Sequence, residues 1–424
     1  MKNILFVSCY SVDINNSASI ELIYYINLLA NSDKYKVHLL TMDFPNNCIY
    51  YDDETRKLVS DKVIIHRVKG GMLLNKLLPK KTQEVKGVTK KNNKDLLIKL
   101  KNVFSIIDPY VSWTNKAFKY FQKKLINENF HVILGMHEPP SSLICAKKIK
   151  KAYKTKNSKV KLVSYFSDPY CNELSRRKKN FIVRKINHNI EKEIISNSDK
   201  FLFVAKDNFE YYKNKYDINS NNVQLIHRGY DKVFYEKSKE IYPSIFKKNK
   251  INILHAGDIA LGMRDISQFI NAVECIRKDN NSLFSKLNIN FYGNVNDPVQ
   301  NELLSNKEYI LYNSRISYLK VINYIVNSDI LIILGNKEFK QIPAKIYDYL
   351  GTNAYILVII ESYKDPLYEL VKNIPDVYCV LNNVKKIKEV LINLLKDYKE
   401  DRVLNREEFS NENIFFKLEK SFNE

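Results

Sequence analysis

The chain has 424 residues, 45% of them hydrophobic, and a formal charge of +21. That length points to two or three domains with ample material for their cores. The longest apolar runs fall far short of the roughly 20 residues a membrane-crossing helix needs, and the start of the chain is too short an apolar run for a signal peptide. Six cysteines, at 9, 48, 145, 171, 275 and 379, are scattered with no C-x-x-C pair. This is the pattern of reduced thiols in a cytosolic protein, not of a disulfide framework or a zinc site.

Residues 3–8 read as a buried strand, and 18–30 as an amphipathic helix with Leu22, Ile26 and Leu29 at helical spacing. Strands follow at 36–41 and 62–68. The lysine-rich 75–102 has no clear period and reads as a loop or an amphipathic helix. A helix at 110–125 is entered through Asp108-Pro109. Then come strand 131–135, helix 141–151, strand 161–166, helix 181–196, strand 200–204, helix 208–216 and strand 223–226. The polar, Lys/Glu-rich stretch 231–250 marks a boundary. Beyond it strands recur at 251–255, 287–292, 309–312, 330–334, 355–360 and 377–380 with helices between, and 407–422 reads as an amphipathic helix. Such alternation argues an α/β fold with parallel, doubly wound sheets. About a dozen strands are too many for one sheet of this kind, so two Rossmann-like domains are expected, at 1–230 and 231–406, followed by 407–424.

The charge is clustered. Residues 76–124 hold thirteen lysines against three acids, and 147–161 hold eight lysines and no acid. Part of this is a compositional bias toward Lys, Asn, Ile and Tyr. A clustered remainder can hold a phosphate-rich surface, and each lysine near an anionic membrane contributes about 1 kcal/mol. Nucleic-acid binding would interleave aromatics with the basic runs; 76–102 has none. A membrane surface is therefore the expected partner, and nucleic acid is not.

The most informative stretch is 329–360. A buried strand, Asp329-Ile-Leu-Ile-Ile-Leu-Gly335, enters a polar loop. Then comes Gln341-Ile-Pro-Ala-Lys-Ile-Tyr-Asp-Tyr-Leu-Gly351, followed by a second buried strand. Pro343 stands where a first helical residue is expected, since its missing N–H is an orphan there anyway. A helix N-terminus beside a strand's carboxyl end can hold an anion. This segment resembles the nucleotide-sugar motif of family 4 glycosyltransferases of the two-domain GT-B fold, roughly I-P-x-K-[LIV]-[FY]-E-Y-L. Ile342, Pro343, Lys345, Tyr347, Tyr349 and Leu350 match it, and Asp348 replaces the usual Glu.

The resemblance implies two domains facing across a cleft, with the last helix crossing back to the first. The first domain would bind the acceptor and the second a nucleotide-sugar. Asp348 would accept hydrogen bonds from the ribose, and Lys345 would reach the diphosphate. The family's other acid, eight residues before Asp348, falls on Lys340, so Glu338 is the nearest carboxylate for the donor sugar. Ala256–Asp265 resembles the phosphate loop, with Gly257 and with Arg264 as the cation. Physically, a fixed guanidinium stabilises charge on a departing diphosphate more in the transition state than before it; the alternative is a solvated arginine in a capping loop. Arg315 and Ile316 would border the nucleobase. Gly229, Asp231 and Phe234 resemble the interdomain segment.

In the first domain, Asn16-Ser17 replace the family's paired glycines; they either let the backbone approach a ligand or cap the helix, through Ser17 or Ser19. His137, at a strand end, matches a position lining the sugar site; the alternative is a structural histidine. Asp168 is either an Asp-Pro turn or an acceptor-side carboxylate that orients or deprotonates a hydroxyl. The chain has no Asp-x-Asp, so a metal-independent site without a cofactor is expected.

The resemblance implies a retaining transferase, with UDP the expected nucleotide, passing sugar to a glycan or lipid-linked acceptor of capsule, lipopolysaccharide or exopolysaccharide at the cytoplasmic membrane face. The rivals are a nucleotide-sugar 2-epimerase on the same fold and a non-catalytic member binding a partner glycosyltransferase.

Overall fold

The first seven strands of the chain lie in one sheet of the structure, a computed structural model. It describes residues 1–71, 74, 75, 78, 80, 106–172, 174–177, 179–337, 342–399, 402 and 406–423. Most of the expected loop or helix at 75–102, together with Glu338 and Lys340, lies outside the described residues.

The chain divides into two units, Met1–Arg228 with Ile414–Glu424, and Gly229–Asn413. In the first, strands β1 Lys2–Ser8, β2 Tyr35–Asp43, β3 Ile64–Lys69, β4 Phe130–His137, β5 Lys161–Phe166, β6 Lys200–Phe203 and β7 Val223–Leu225 form a sheet ordered β3-β2-β1-β4-β5-β6-β7. Every pairing in it is parallel. The order reverses between β1 and β4, where a doubly wound sheet opens a crevice beyond its strand ends. Successive residues of β1 enter opposite layers: Ile4 and Phe6 pack with Leu22, Ile26 and Leu29, while Leu5 and Val7 pack with Trp113, Ala117 and Ile149. That alternation is the period of a strand buried on both faces.

The second unit repeats the plan with β8 Ile251–Ala256, β9 Leu287–Tyr292, β10 Ile310–Asn313, β11 Ile330–Leu334, β12 Tyr355–Ile360 and β13 Val377–Leu381, ordered β10-β9-β8-β11-β12-β13. Its switch lies between β8 and β11, which pair from Ile330↔Ile253 to Ile332↔His255. All residues of β8, β11 and β12 are buried, as the unbroken apolar runs of β11 and β12 require; β8 buries the polar Asn252 and His255 as well.

Helices begin where short polar side chains can cap them. The Asn180 side chain accepts the Val183 N–H at 2.9 Å, and Asp231 accepts that of Phe234 at 3.0 Å. The stretch 231–250, read from sequence as a polar boundary, thus contains a helix, Lys232–Lys239.

The expected helix 407–422 is two pieces, a 3-10 turn Glu407–Phe409 and a helix Asn411–Asn423 separated by extended Ser410. The helix packs Ile414, Leu418 and Phe422 into the first unit's core. Burying three such side chains is worth roughly 1.5–3 kcal/mol each. The 3.0 Å Lys34–Glu419 pair beside them is half exposed on the lysine side and adds about 1 kcal/mol at most. Among the described residues no helix is long and apolar enough to cross a membrane.

Candidate active site

The strongest cluster lies at the carboxyl ends of β8 and β11, and the backbone there is unusually close. A Cβ on Gly293 would stand 2.1 Å from the Gly257 carbonyl oxygen, and Gly293 has φ +145°. Only glycine fits such an approach. The loop after β8 is stitched to its neighbours: the Gly257 N–H donates to Tyr292 O at 2.9 Å and the Lys337 N–H to Met263 O at 2.8 Å.

Arg264 sits in this frame. Its Nε donates to Asn336 Oδ1 at 3.0 Å and its Nη1 to the Asp258 carbonyl at 2.8 Å. Nη1 also lies 3.8 Å from the position of a Cβ on Gly257. Burial lowers its pKa while the Asp258 charge raises it, and a guanidinium stays charged under either influence. Among the described residues Arg264 makes no ion pair; both bonds go to neutral oxygens. Among the described residues, a fixed positive charge thus stands at the topological switch point with no carboxylate bonded to it.

Arg315 is engaged differently. Its Nη2 pairs with Asp258 Oδ2, while Asp258 Oδ1 accepts the Asn294 N–H at 2.9 Å. Asp258 therefore ties together the loops after β8, β9 and β10. Ile316 is half-buried in the same loop as Arg315.

The motif at 342–350 forms a short helix, Lys345–Leu350, with no side-chain cap at Ala344. Pro343 is not its first residue. It precedes the helix by two positions, and its carbonyl accepts the Ile346 N–H at 3.0 Å, a tight three-residue turn that delays the helical register. Ile342 is half-buried and Pro343 buried. The Tyr349 hydroxyl accepts the Ala256 N–H at 3.1 Å, which joins this helix to the end of β8. Both Arg264 and Asp348 act electrostatically on that hydroxyl.

Asp348 is fully buried. Its Oδ1 accepts from Tyr318 at 3.1 Å and Tyr235 at 3.4 Å, and its Oδ2 lies 3.5 Å from Lys345 Nζ. The Lys345 ammonium also lies 5.1 Å from the Tyr318 ring centre. The carboxylate, as it stands, orients Lys345 and two tyrosines. Glu338 lies outside the described residues.

In the first unit, His137 is buried between the rings of Phe166 and Tyr170, 5.9 Å from each. Burial, aided by Arg176, lowers its pKa to about 3. It stays neutral near pH 7 and can only share a hydrogen bond. Ser167 Oγ donates to the His137 carbonyl at 2.9 Å and lies 3.4 Å from Asp168 Oδ2, so the structure brings His137 and Asp168 to one sheet edge. Asn16 is the cap of helix Ser17–Ala30, accepting the Ser19 N–H at 2.7 Å; Ser17 is the exposed first residue of that helix.

Sequence reading passed over Asp108 as a helix entrance. Its carboxylate accepts the Ser141 N–H at 2.8 Å and the Ser141 hydroxyl at 2.6 Å. It thereby fills the N-terminus of helix Pro140–Tyr153, the place after β4 where an anion would otherwise sit. The Asp-Pro step gave no sign of this, because the contact spans 33 residues.

Cys171, His188 and Glu191 offer ligand atoms within 4.8 Å of one another. Lys215 Nζ occupies that space, 2.9 Å from both His188 Nδ1 and Glu191 Oε2. Tyr212, Tyr216 and the Cys171 N–H complete the donors on Glu191. The arrangement is an ammonium site. In the basic run 147–161, Lys147 and Lys150 pair with Glu193 and Asp199, so part of that charge is used internally.

No protein-family model matches the chain, and no curated protein sequence matches it. Solved structures share its fold. UDP-GlcNAc 2-epimerase from Neisseria meningitidis bound to UDP-GlcNAc is similar with a TM-score of 0.57 at 12% identity, over 99% of both chains. Sucrose-phosphate synthase from Thermosynechococcus elongatus gives 0.55 at 12% identity, over 100% of this chain and 95% of that one. A glycosyltransferase from Rickettsia africae gives 0.53 at 13% identity, over 99% and 97%. At such identities the likeness establishes the fold alone: two Rossmann-like domains of the GT-B glycosyltransferase type.

Proposed function

We propose that this chain is a nucleotide-sugar-dependent glycosyltransferase of the family 4 type. The observation that carries the reading is Arg264, a guanidinium fixed by neutral partners at the switch point of the second sheet. A diphosphate leaving group there gains charge as its glycosyl bond breaks, and a preorganised cation stabilises that gain. Lys345 supplies a second cation. Arg315 and Ile316 border the base, and Gly257 lets the diphosphate approach the backbone. Asp348 acts through Lys345, Tyr235 and Tyr318, and reaches a ribose once those hydroxyls turn toward it. Neutral His137 positions a sugar hydroxyl, and Asp168 orients or accepts a proton from the acceptor. The expected donor is a UDP-sugar used with retention and without metal. The acceptor is a glycan or lipid-linked intermediate of cell-surface polysaccharide, met at the inner face of the membrane through the basic runs.

A screen of nucleotide-sugars for release of nucleoside diphosphate, with the sugar product identified, tests this. Transfer to an added glycan, or slow hydrolysis without one, supports the reading. Release of a free sugar epimerised at C2 would make the chain an epimerase instead. No turnover of any donor would leave it a binding member of the fold.

A further inference from the structure

Helix Phe181–Asn197 begins with two large apolar side chains that stand mostly in water. Phe181 is 68% exposed and Ile182 69%, whereas the helix buries Asn187, Glu191, Ile194 and Ile195 further along. The Asn180 cap fixes where the helix starts and so fixes both side chains at its outer tip. Leaving such a pair in water is unfavourable, because each could gain the free energy of burial elsewhere. The flanking chemistry says what buries them. Residues 174–190 contain Arg176, Arg177, Lys178, Lys179, Arg184 and Lys185 and no acid. Arg177, Arg184 and Lys185 are exposed. Arg176 anchors the base, donating to Ile107 O at 2.6 Å and lying 4.8 Å from the Tyr170 ring centre.

An apolar helix start flanked in sequence by cations, with Arg177, Arg184 and Lys185 exposed, matches an anionic lipid surface: the apolar side chains enter the acyl boundary and the cations stay at the headgroups. In a parallel sheet the helix following a strand starts at the strand's carboxyl end. The segment follows β5, so the tip lies on the sheet edge that carries His137 and Asp168.

We propose that Phe181 and Ile182, within the basic segment 176–185, form a membrane-inserting wedge that brings the first unit's acceptor edge onto an anionic bilayer. This deepens the proposed function, resting on its reading of a membrane-borne acceptor, and moves the contact from the lysine runs to a defined surface.

Flotation of the full chain with vesicles tests it. Vesicles of phosphatidylcholine alone are compared with vesicles carrying about a third phosphatidylglycerol. The chain is expected to float with the anionic vesicles only, and to keep part of that binding in about 0.5 M salt, because apolar insertion is not screened. The double substitution Phe181→Ser with Ile182→Ser should weaken binding at least about tenfold. Its folding is checked by unchanged emission of Trp113, which is fully buried. A separate Phe181→Trp variant should blue-shift on adding anionic vesicles. Equal flotation of wild type and double variant overturns the proposal, as does an unshifted Phe181→Trp, or the absence of vesicle binding by wild type. Donor hydrolysis in solution is read in parallel: the double variant and wild type hydrolyse donor alike whatever the flotation result, whereas a failed functional reading shows as no donor turnover in either protein.

Discussion

At Arg264, burial and the nearby Asp258 charge pull in opposite directions. Desolvation disfavours the cation and the Asp258 charge favours it, while the Asp258 carbonyl and Asn336 Oδ1 hold it in one orientation. Keeping such a charge with no carboxylate bonded to it among the described residues is costly in a finished fold, and an anionic ligand removes the cost. Arg264→Ala is therefore expected to slow donor turnover on the order of 100-fold, the usual loss for one transition-state donor of about 2.7 kcal/mol or more. Steady-state rates in the hydrolysis assay measure this; a near-normal rate removes Arg264 from the chemistry. The residue itself was legible, because it follows a buried strand in a glycine-containing loop. Its partners were not. Asn336 is 72 positions away, and spacing carries no information about contacts between strand ends. Asp348 shows the same gap: its motif position was readable, but its tyrosine partners at 235 and 318 were not.

The strands were legible because parallel sheets bury both faces and leave unbroken apolar runs. Each of the thirteen observed strands overlaps an expected one. The short helices Asp53–Arg56 and Leu174–Arg177 were not foreseen, since one turn of helix has too few residues to show a period. The break at Ser410 was hidden by an apolar pattern that runs through it. Loop backbone is where sequence says least, and Gly293 is the instance with a consequence. Gly293→Ala places a methyl against the Gly257 carbonyl at a φ that side chains avoid. Strain of this kind costs about 1–3 kcal/mol, and the phosphate loop must shift to relieve it. A lowered Tm together with weaker nucleotide binding is expected in thermal unfolding with and without ligand. An unchanged Tm would show that the two strand ends are not held this close.

Across the molecule, buried histidines set how stability responds to acid. Burial lowers His38, His137 and His227 in the first unit to about 4, 3 and 4, and His255 in the second to about 4. Unfolded, each returns to about 6.5 and binds a proton the fold refuses, so stability falls as pH drops from about 6.5 toward 4. Glu21 works the other way. Burial raises it to about 7, so the folded state holds a proton there that the unfolded chain releases above about 4.5. In the first unit burial lowers His66 as well and raises Asp108 like Glu21, so four histidines outweigh two carboxyls, and each net proton is worth about 1.4 kcal/mol per pH unit. A Tm several degrees lower at about pH 5.5 than at pH 7.5 is expected; an equal or higher Tm at the acid pH would mean that these rings are not held neutral.

The doubly wound plan and its division in two were readable because alternation along the chain is a property of whole elements. Which unit the last helix joins was read from resemblance, and its apolar stripe of Ile414, Leu418 and Phe422 is the physical reason it joins the first. The most direct test of the account is calorimetric titration of the full chain with UDP, GDP and ADP in the absence of divalent metal. Saturable binding of UDP in preference to the others, lost in Arg264→Ala, is the predicted result. Binding of none of the three, or UDP binding that Arg264→Ala leaves intact, would contradict it.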